Sequence, residues 1–191
     1  MTKLILLTGT PGAGKSTILN GISKPSGRFK LLNMGNEMLD IMKEKFGITD
    51  RDRIRAIDDK STILIRNEVM QKIIDEKQDA IIDTHASVKN GRRYRPGFSI
   101  AELEKIRISA IIYIDASSEE IFNRRKRDKT RVRENDTTAE IDEWRSVNIS
   151  IISTFAVYLN IPIYIIYNKE GHSAEAINEV QAITQEFFGK D

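Results

Sequence analysis

Two kinds of apolar spacing alternate along this chain. Short unbroken apolar runs stand at residues 4–7, 29–32, 80–82, 110–114 and 161–166. Between and after them, apolar residues recur every three or four positions over 15–22, 37–46, 60–76, 119–126, 140–159 and 174–188. The first pattern predicts strands and the second predicts helices. The strand runs are apolar throughout rather than alternating with polar residues, so both faces of each strand must be covered. Strands of that kind, separated by helices, predict an α/β fold with a five-stranded parallel sheet and helices on both faces. No repeat or linker interrupts the pattern, and Ser-Lys-Pro-Ser-Gly-Arg at 23–28 reads as a turn. At 191 residues the chain is expected to form a single domain over 1–191.

Composition narrows the class. Hydrophobic residues make up 40% and charged residues 30%, an ordinary balance for a globular protein with a real core. With no cysteine there are no disulfides or thiolate metal sites, and His85 and His172, far apart, argue against structural zinc. No apolar run approaches the roughly 18 residues of a membrane span. Lys3 precedes only a short strand-like run without a cleavage signal, so a cytoplasmic location is expected.

The net charge of +2 says little, but its distribution says more. Cations crowd at Arg51/Arg53/Arg55, at Lys89/Arg92/Arg93/Arg95, and along 124–133. Each island follows a strand. Because parallel sheets bind ligands at the carboxyl ends of their strands, the islands are expected to converge on one rim.

That rim also carries Gly9-Thr10-Pro11-Gly12-Ala13-Gly14-Lys15-Ser16-Thr17, placed between the first strand and the first helix. The spacing Gly-x-x-x-x-Gly-Lys-Ser is that of a phosphate-binding loop. Glycines allow successive N–H groups to approach phosphate oxygens without an intervening Cβ. The helix starting near Lys15 turns its positive end toward the anion. Lys15 is expected to reach the β- and γ-phosphates, and Ser16 to ligate Mg²⁺. Residues 9–17 are therefore read as the ATP site. Guanine specificity is disfavoured: Asn168-Lys169-Glu170-Gly171 lacks the final carboxylate of a guanine reader, and Asp83-Thr84-His85-Ala86 lacks the switch glycine.

A second anion site is suggested by Asn33-Met34-Gly35-Asn36 after the second strand and by Asp50-Arg51-Asp52-Arg53-Ile54-Arg55 at the start of a later helix. A guanidinium fork suits phosphate. Arg51 and Arg55 would share one helical face, although pairing with Asp50, Asp52 and Asp58 is an alternative use of such a helix start.

Together with Asp83-Thr84-His85, Tyr94-Arg95-Pro96-Gly97 and Arg127-Asp-Lys-Thr-Arg131-Val-Arg133, these segments resemble the archaeal-type adenylate kinases, in order, from residue 4 to about residue 171. The resemblance implies transfer of the γ-phosphoryl of ATP to AMP, giving two ADP. It implies Arg55 and the Asn33–Gly35 turn at the AMP site, within an AMP-binding region around 33–95. It implies an arginine-rich lid around 124–137, and a homotrimer with helix 140–159 and the last strand as interface candidates. One departure stands out. Arg93-Tyr94-Arg95-Pro96-Gly97 replaces the family's Gly-Tyr-Leu-Pro-Gly, adding charge near the acceptor, and the roles of Arg92, Arg93 and Arg95 stay open.

The chemistry demands cations more than a general base, because the attacking AMP oxygen is already anionic. Arg124, Arg131 and Arg133 are assigned to clamping the γ-phosphoryl, with Arg125, Lys126 and Lys129 read as a solvated helix face. Lys89 is read as a ligand of the AMP phosphate. Asp83 is expected to order Mg²⁺ through water, with capping of the following turn as its alternative. His85 is assigned either to the acceptor nucleotide or to structure. His172 and Trp144 are read as structural, and the 168–171 loop as a backbone contact to adenine. Other acceptors such as UMP or CMP remain open, as does an ATP-dependent RNA-binding or assembly factor. Against nucleic acid stand the near-balanced charge and the lack of any aromatic within 124–133.

Overall fold

A computed structural model describes residues 2–22, 29–49, 58–128 and 136–189. Its elements in chain order are β1 (Leu4–Gly9), α1 (Lys15–Gly21), β2 (Lys30–Asn33), α2 (Met34–Phe46), α3 (Asp59–Glu76), β3 (Ala80–Asp83), β4 (Ser87–Asn90), β5 (Arg93–Pro96), α4 (Ile100–Ile106), β6 (Ile108–Asp115), α5 (Ser118–Arg127), α6 (Thr138–Leu159), β7 (Ile163–Tyr167) and α7 (Ser173–Phe188). Five strands form one sheet in the order β2-β3-β1-β6-β7, every pair parallel. The expected α/β architecture is present.

The unbroken apolar runs are explained by two cores, one on each face. Along β1, Leu4 and Leu6 enter a core shared with α2, α3, α4 and α6. Ile5 and Leu7 enter the opposite core, built chiefly with α1, α5 and α7. A strand covered on both sides has no position left for a polar side chain, which is why periodicity two is missing.

Helix starts follow local chemistry. Asn33 accepts a hydrogen bond from the Asn36 N–H at the head of α2, and Asp58 caps α3. Ser99, Ser117 and Thr137 each form a reciprocal capping box, with Glu102, Glu120 and Glu140 respectively. Among the described residues, no helix is long and apolar enough to cross a membrane.

Three elements exceed the expectation. β4 and β5 form a separate antiparallel hairpin, and α4 follows it. The hairpin carries no apolar run of strand length, so hydrophobic periodicity is blind to it, and α4 is too short for the helical spacing of Ile100, Leu103 and Ile106 to stand out. Their local signals were legible: Asn90-Gly91 is a tight-turn dipeptide, and Ser99-x-x-Glu102 is a capping box.

Candidate active site

β1 is the central strand, flanked by β3 and β6, so the loop after it opens at the crevice where the connections diverge. There Gly14 caps α1 with φ 96°, a left-handed value that favours glycine. Any Cβ at Gly14 would collide with the Asn168 side-chain amide. That amide donates to the Ala13 carbonyl at 2.7 Å. Arg124 Nη1 donates to the same carbonyl at 3.2 Å, while its Nη2 and Nε reach the Asn168 carbonyl (2.8 Å) and Glu170 (2.9 Å). Arg125 Nε donates to the Pro11 carbonyl at 2.8 Å. The loop is thus gripped from outside by its carbonyl groups, while the first N–H groups of α1 have no intrahelical acceptor. Lys15 is buried, with Nζ donating to the Gly9 carbonyl at 3.2 Å. Ser16 and Thr17 are exposed in the first turn of α1.

Arg124, expected at the γ-phosphoryl, therefore braces the loop and the turn after β7. Glu170, which it pairs with, is held below the usual carboxylate range by Arg127 and then by Arg124. Arg125 corrects the sequence reading outright. It is not a solvated residue: its side chain is 8% exposed, and Nη1 pairs with Asp136 at 2.5 Å. Burial pushes the Arg125 guanidinium below its ordinary value, against the pull of Asp136.

On the other side of β1 the parallel register sets Asn33 beside Asp83, and Asp83 beside Leu7. Asn33 Nδ2 donates to Asp83 Oδ2 at 2.6 Å. Asp83 Oδ1 is buried with no hydrogen-bond partner among the described residues. Gly35 lies half-buried in the first turn of α2, and His85 is exposed just past β3. The His85 carbonyl sits so close to Gly97 that no Cβ would fit there. Arg55, Arg131 and Arg133 lie outside the described residues.

A model of the AAA domain family matches residues 8–142. An adenylate kinase from Thermoplasma acidophilum is 32% identical over 175 residues, covering 92% of this chain and 94% of the relative. An adenylate kinase from Thermococcus kodakarensis is 31% identical, covering 94% of each. The chain belongs to the adenylate kinase family. Like its relatives it is a phosphotransferase. Among solved structures, shikimate kinase from Bacteroides thetaiotaomicron superposes with a TM-score of 0.55 at 15% identity, covering 96% of this chain and 98% of that one. Shikimate kinase from Acinetobacter baumannii, in complex with shikimate, reaches 0.53 at 16%. Those two likenesses describe the fold alone.

Against the family pattern, the hairpin holds the main surprise. Side chains alternate across it, so Ser87 and Lys89 point to α6 while Val88 is exposed. Lys89, expected on the AMP phosphate, pairs instead with Asp136 at 2.5 Å, and its side chain is 6% exposed. Its ammonium lies 5.9 Å from the Trp144 ring centre, and the Arg125 guanidinium lies 5.3 Å from it. Trp144 Nε1 donates to Ser87 Oγ at 2.9 Å. Ser87 Oγ donates to Asn148 Oδ1, and Asn148 Nδ2 donates to Thr10 Oγ1 in the phosphate loop. Tyr94, tilted against Trp144, is pushed up to about 12 by burial and by its bond to Glu143. At the hairpin's far end Arg66 bonds both Glu102 oxygens and the Gly97 carbonyl. Asp136, Asn148, Arg66 and Glu102 escaped the sequence reading because each acts through a partner 11 or more positions away.

Proposed function

We infer that this enzyme moves the γ-phosphoryl of ATP onto AMP, reversibly, giving two ADP. The observation that carries the reading is the division of one rim into two polar sites. The gripped phosphate loop lies after β1, and the Asn33–Asp83 pair lies one strand away. ATP is read as bound by residues 9–17, with Lys15 on the β- and γ-phosphates. AMP is read as bound within 33–95 by Asn33, Gly35, His85 and Arg55. Lys89 is withdrawn from that set, since Asp136 already engages it. Residues 124–137 are read as the lid, with Arg131 and Arg133 clamping the moving phosphoryl, and Arg124, engaged by Ala13, Asn168 and Glu170, bracing the loop beside them.

The residues present suit Mg²⁺. Asp83 Oδ1 is a buried carboxylate oxygen with no described partner, and the Ser16 hydroxyl is exposed at the loop's end. A cation carried mainly by nucleotide phosphates and water needs only one or two protein ligands. When bound, Mg²⁺ would offset charge on the β- and γ-oxygens. The protein's own part is to align two polyanions and exclude water; no proton needs to be abstracted.

The exposed residues Val157 and Tyr158 on α6, with Ile165 and Tyr167 on the edge strand β7, support contact with further copies of the chain, since an apolar sheet edge calls for cover; the homotrimer itself is what the family resemblance implies. The reading also carries a cytoplasmic location, where both nucleotides are found. A coupled assay offering AMP, CMP, UMP, GMP and shikimate tests the reaction. AMP is expected to be strongly preferred. Preference for another acceptor, or ATP hydrolysis only with RNA present, would replace this reading. Light scattering on Tyr167→Glu tests the trimer, with dissociation expected.

A further inference from the structure

Lys89 and Arg125 share the Asp136 carboxylate, these three side chains are at most 8% exposed, and the more exposed Glu140 carboxylate stands 4.0 Å from the Lys89 ammonium. Arg125 Nη2 is buried with no hydrogen-bond partner among the described residues. A buried guanidinium nitrogen left without a partner is costly. A fold that needed only a fastener here would be better served by a fully bonded pair. Arg125, however, reaches further. Its Nε holds the Pro11 carbonyl, and its Cγ and Nε lie 3.1 and 3.3 Å from where a Gly12 Cβ would stand. The guanidinium therefore shapes the stretch of loop that faces the donor phosphates.

We propose that Arg125 is a positioning residue for the phosphate loop, and that the shared Asp136 makes its grip answer to Lys89 on the hairpin. The hairpin and the loop are joined twice over α6. One bridge is neutral, from Ser87 through Asn148 to Thr10. The other is charged, from Lys89 through Asp136 and Arg125 to Pro11. Trp144 lies between them, bonding Ser87 and presenting its ring to both cations. A close-packed interior of this kind transmits displacement rather than absorbing it. A shift of β4 is passed to Thr10 and Pro11, so an acceptor arriving beside the hairpin sets the loop that holds the donor. This rests on the reading that the segment after β3 borders AMP.

The test is calorimetric binding of a non-transferring methylene analogue of Mg-ATP, with and without AMP. In the unaltered enzyme AMP is expected to tighten the analogue within about 5- to 150-fold, the usual span of such coupling. Lys89→Met is expected to bring that factor close to one, while the affinity for each ligand alone changes less than about threefold. Lys89→Arg is expected to restore it. Arg125→Lys, which keeps the charge but loses the fork, should weaken the analogue with or without AMP and raise the ATP KM more than the AMP KM. An unchanged factor in Lys89→Met, an unaltered enzyme without coupling, or equal loss of both ligands in every variant would each overturn the proposal. Failure to phosphorylate AMP at all would sink the proposed reaction instead, and the acceptor assay shows that separately.

Discussion

The hairpin is anchored at its two ends by ion pairs of opposite character. At the exit, Arg66 and Glu102 form a closed unit. Both carboxylate oxygens meet the guanidinium, the third guanidinium nitrogen takes the Gly97 carbonyl, and Ser99 bonds Glu102 from its other side. Around Lys89 of β4, Asp136 and Arg125 form an open unit, with two cations on the Asp136 carboxylate, Glu140 at 4.0 Å from Lys89, and one Arg125 nitrogen without a partner among the described residues. A matched, fully bonded pair adds rigidity and little else. An incompletely bonded one leaves polar capacity that a neighbouring loop can engage. The difference suits the first cluster to stability and, on the proposal above, the second to coupling between the two ligands.

The widest separation of those roles comes from the loop itself. Lys15→Met should lower kcat by about 10²–10³-fold or more, because a preorganised donor at the developing charge is lost. Its unfolding midpoint should barely move, and a large stability loss would erase the contrast. Arg66→Met should do the reverse. Leaving Glu102 buried without its partner should cost about 3–5 kcal/mol in denaturant unfolding, with kcat per folded molecule intact. Replacing Glu102 by Met as well should recover most of that loss. Asp83→Asn keeps the shape beside Asn33 but removes the charge, and should raise the Mg²⁺ needed for half-maximal rate by about 10–100-fold.

A pH series sharpens the closed cluster further. Burial would raise the Glu102 carboxyl, but bonds from Arg66 and Ser99 outweigh it and hold the group below its ordinary value. A carboxyl depressed on folding contributes stability that is present above its unfolded pKa and disappears as pH falls through its folded value. Stability should therefore decline with acidification in that window, and Glu102→Gln should flatten the decline. The smallest expected effect is a control. Thr137→Ala removes the cap of α6 next to Asp136 and should cost about 1 kcal/mol without changing the coupling between ligands.

The five sheet strands and the long helices were legible because burial on two faces leaves an unbroken apolar run, and burial on one leaves a helical stripe. The phosphate loop was legible for a different reason: its function depends on spacing within a single segment. Arg125, read as solvated, and Lys89, read as an AMP-phosphate ligand, both stand in charged stretches; only the approach of Trp144 and Asp136 from α6 and its leading turn buries them. Asn168 looked like a fragment of a guanine reader, yet its amide closes on Ala13, 155 positions away in sequence.

The order of residues alone settled the five sheet strands and the long helices, where the phosphate-loop motif lies and which reaction family the chain enters, since each depends on short-range pattern. The tertiary structure decided which arginine braces which carbonyl, that one Asp83 oxygen meets no partner among the described residues, and that the hairpin turns its lysine inward. Those outcomes depend on which distant surfaces meet when apolar area is buried, and a linear charge pattern holds no record of that meeting.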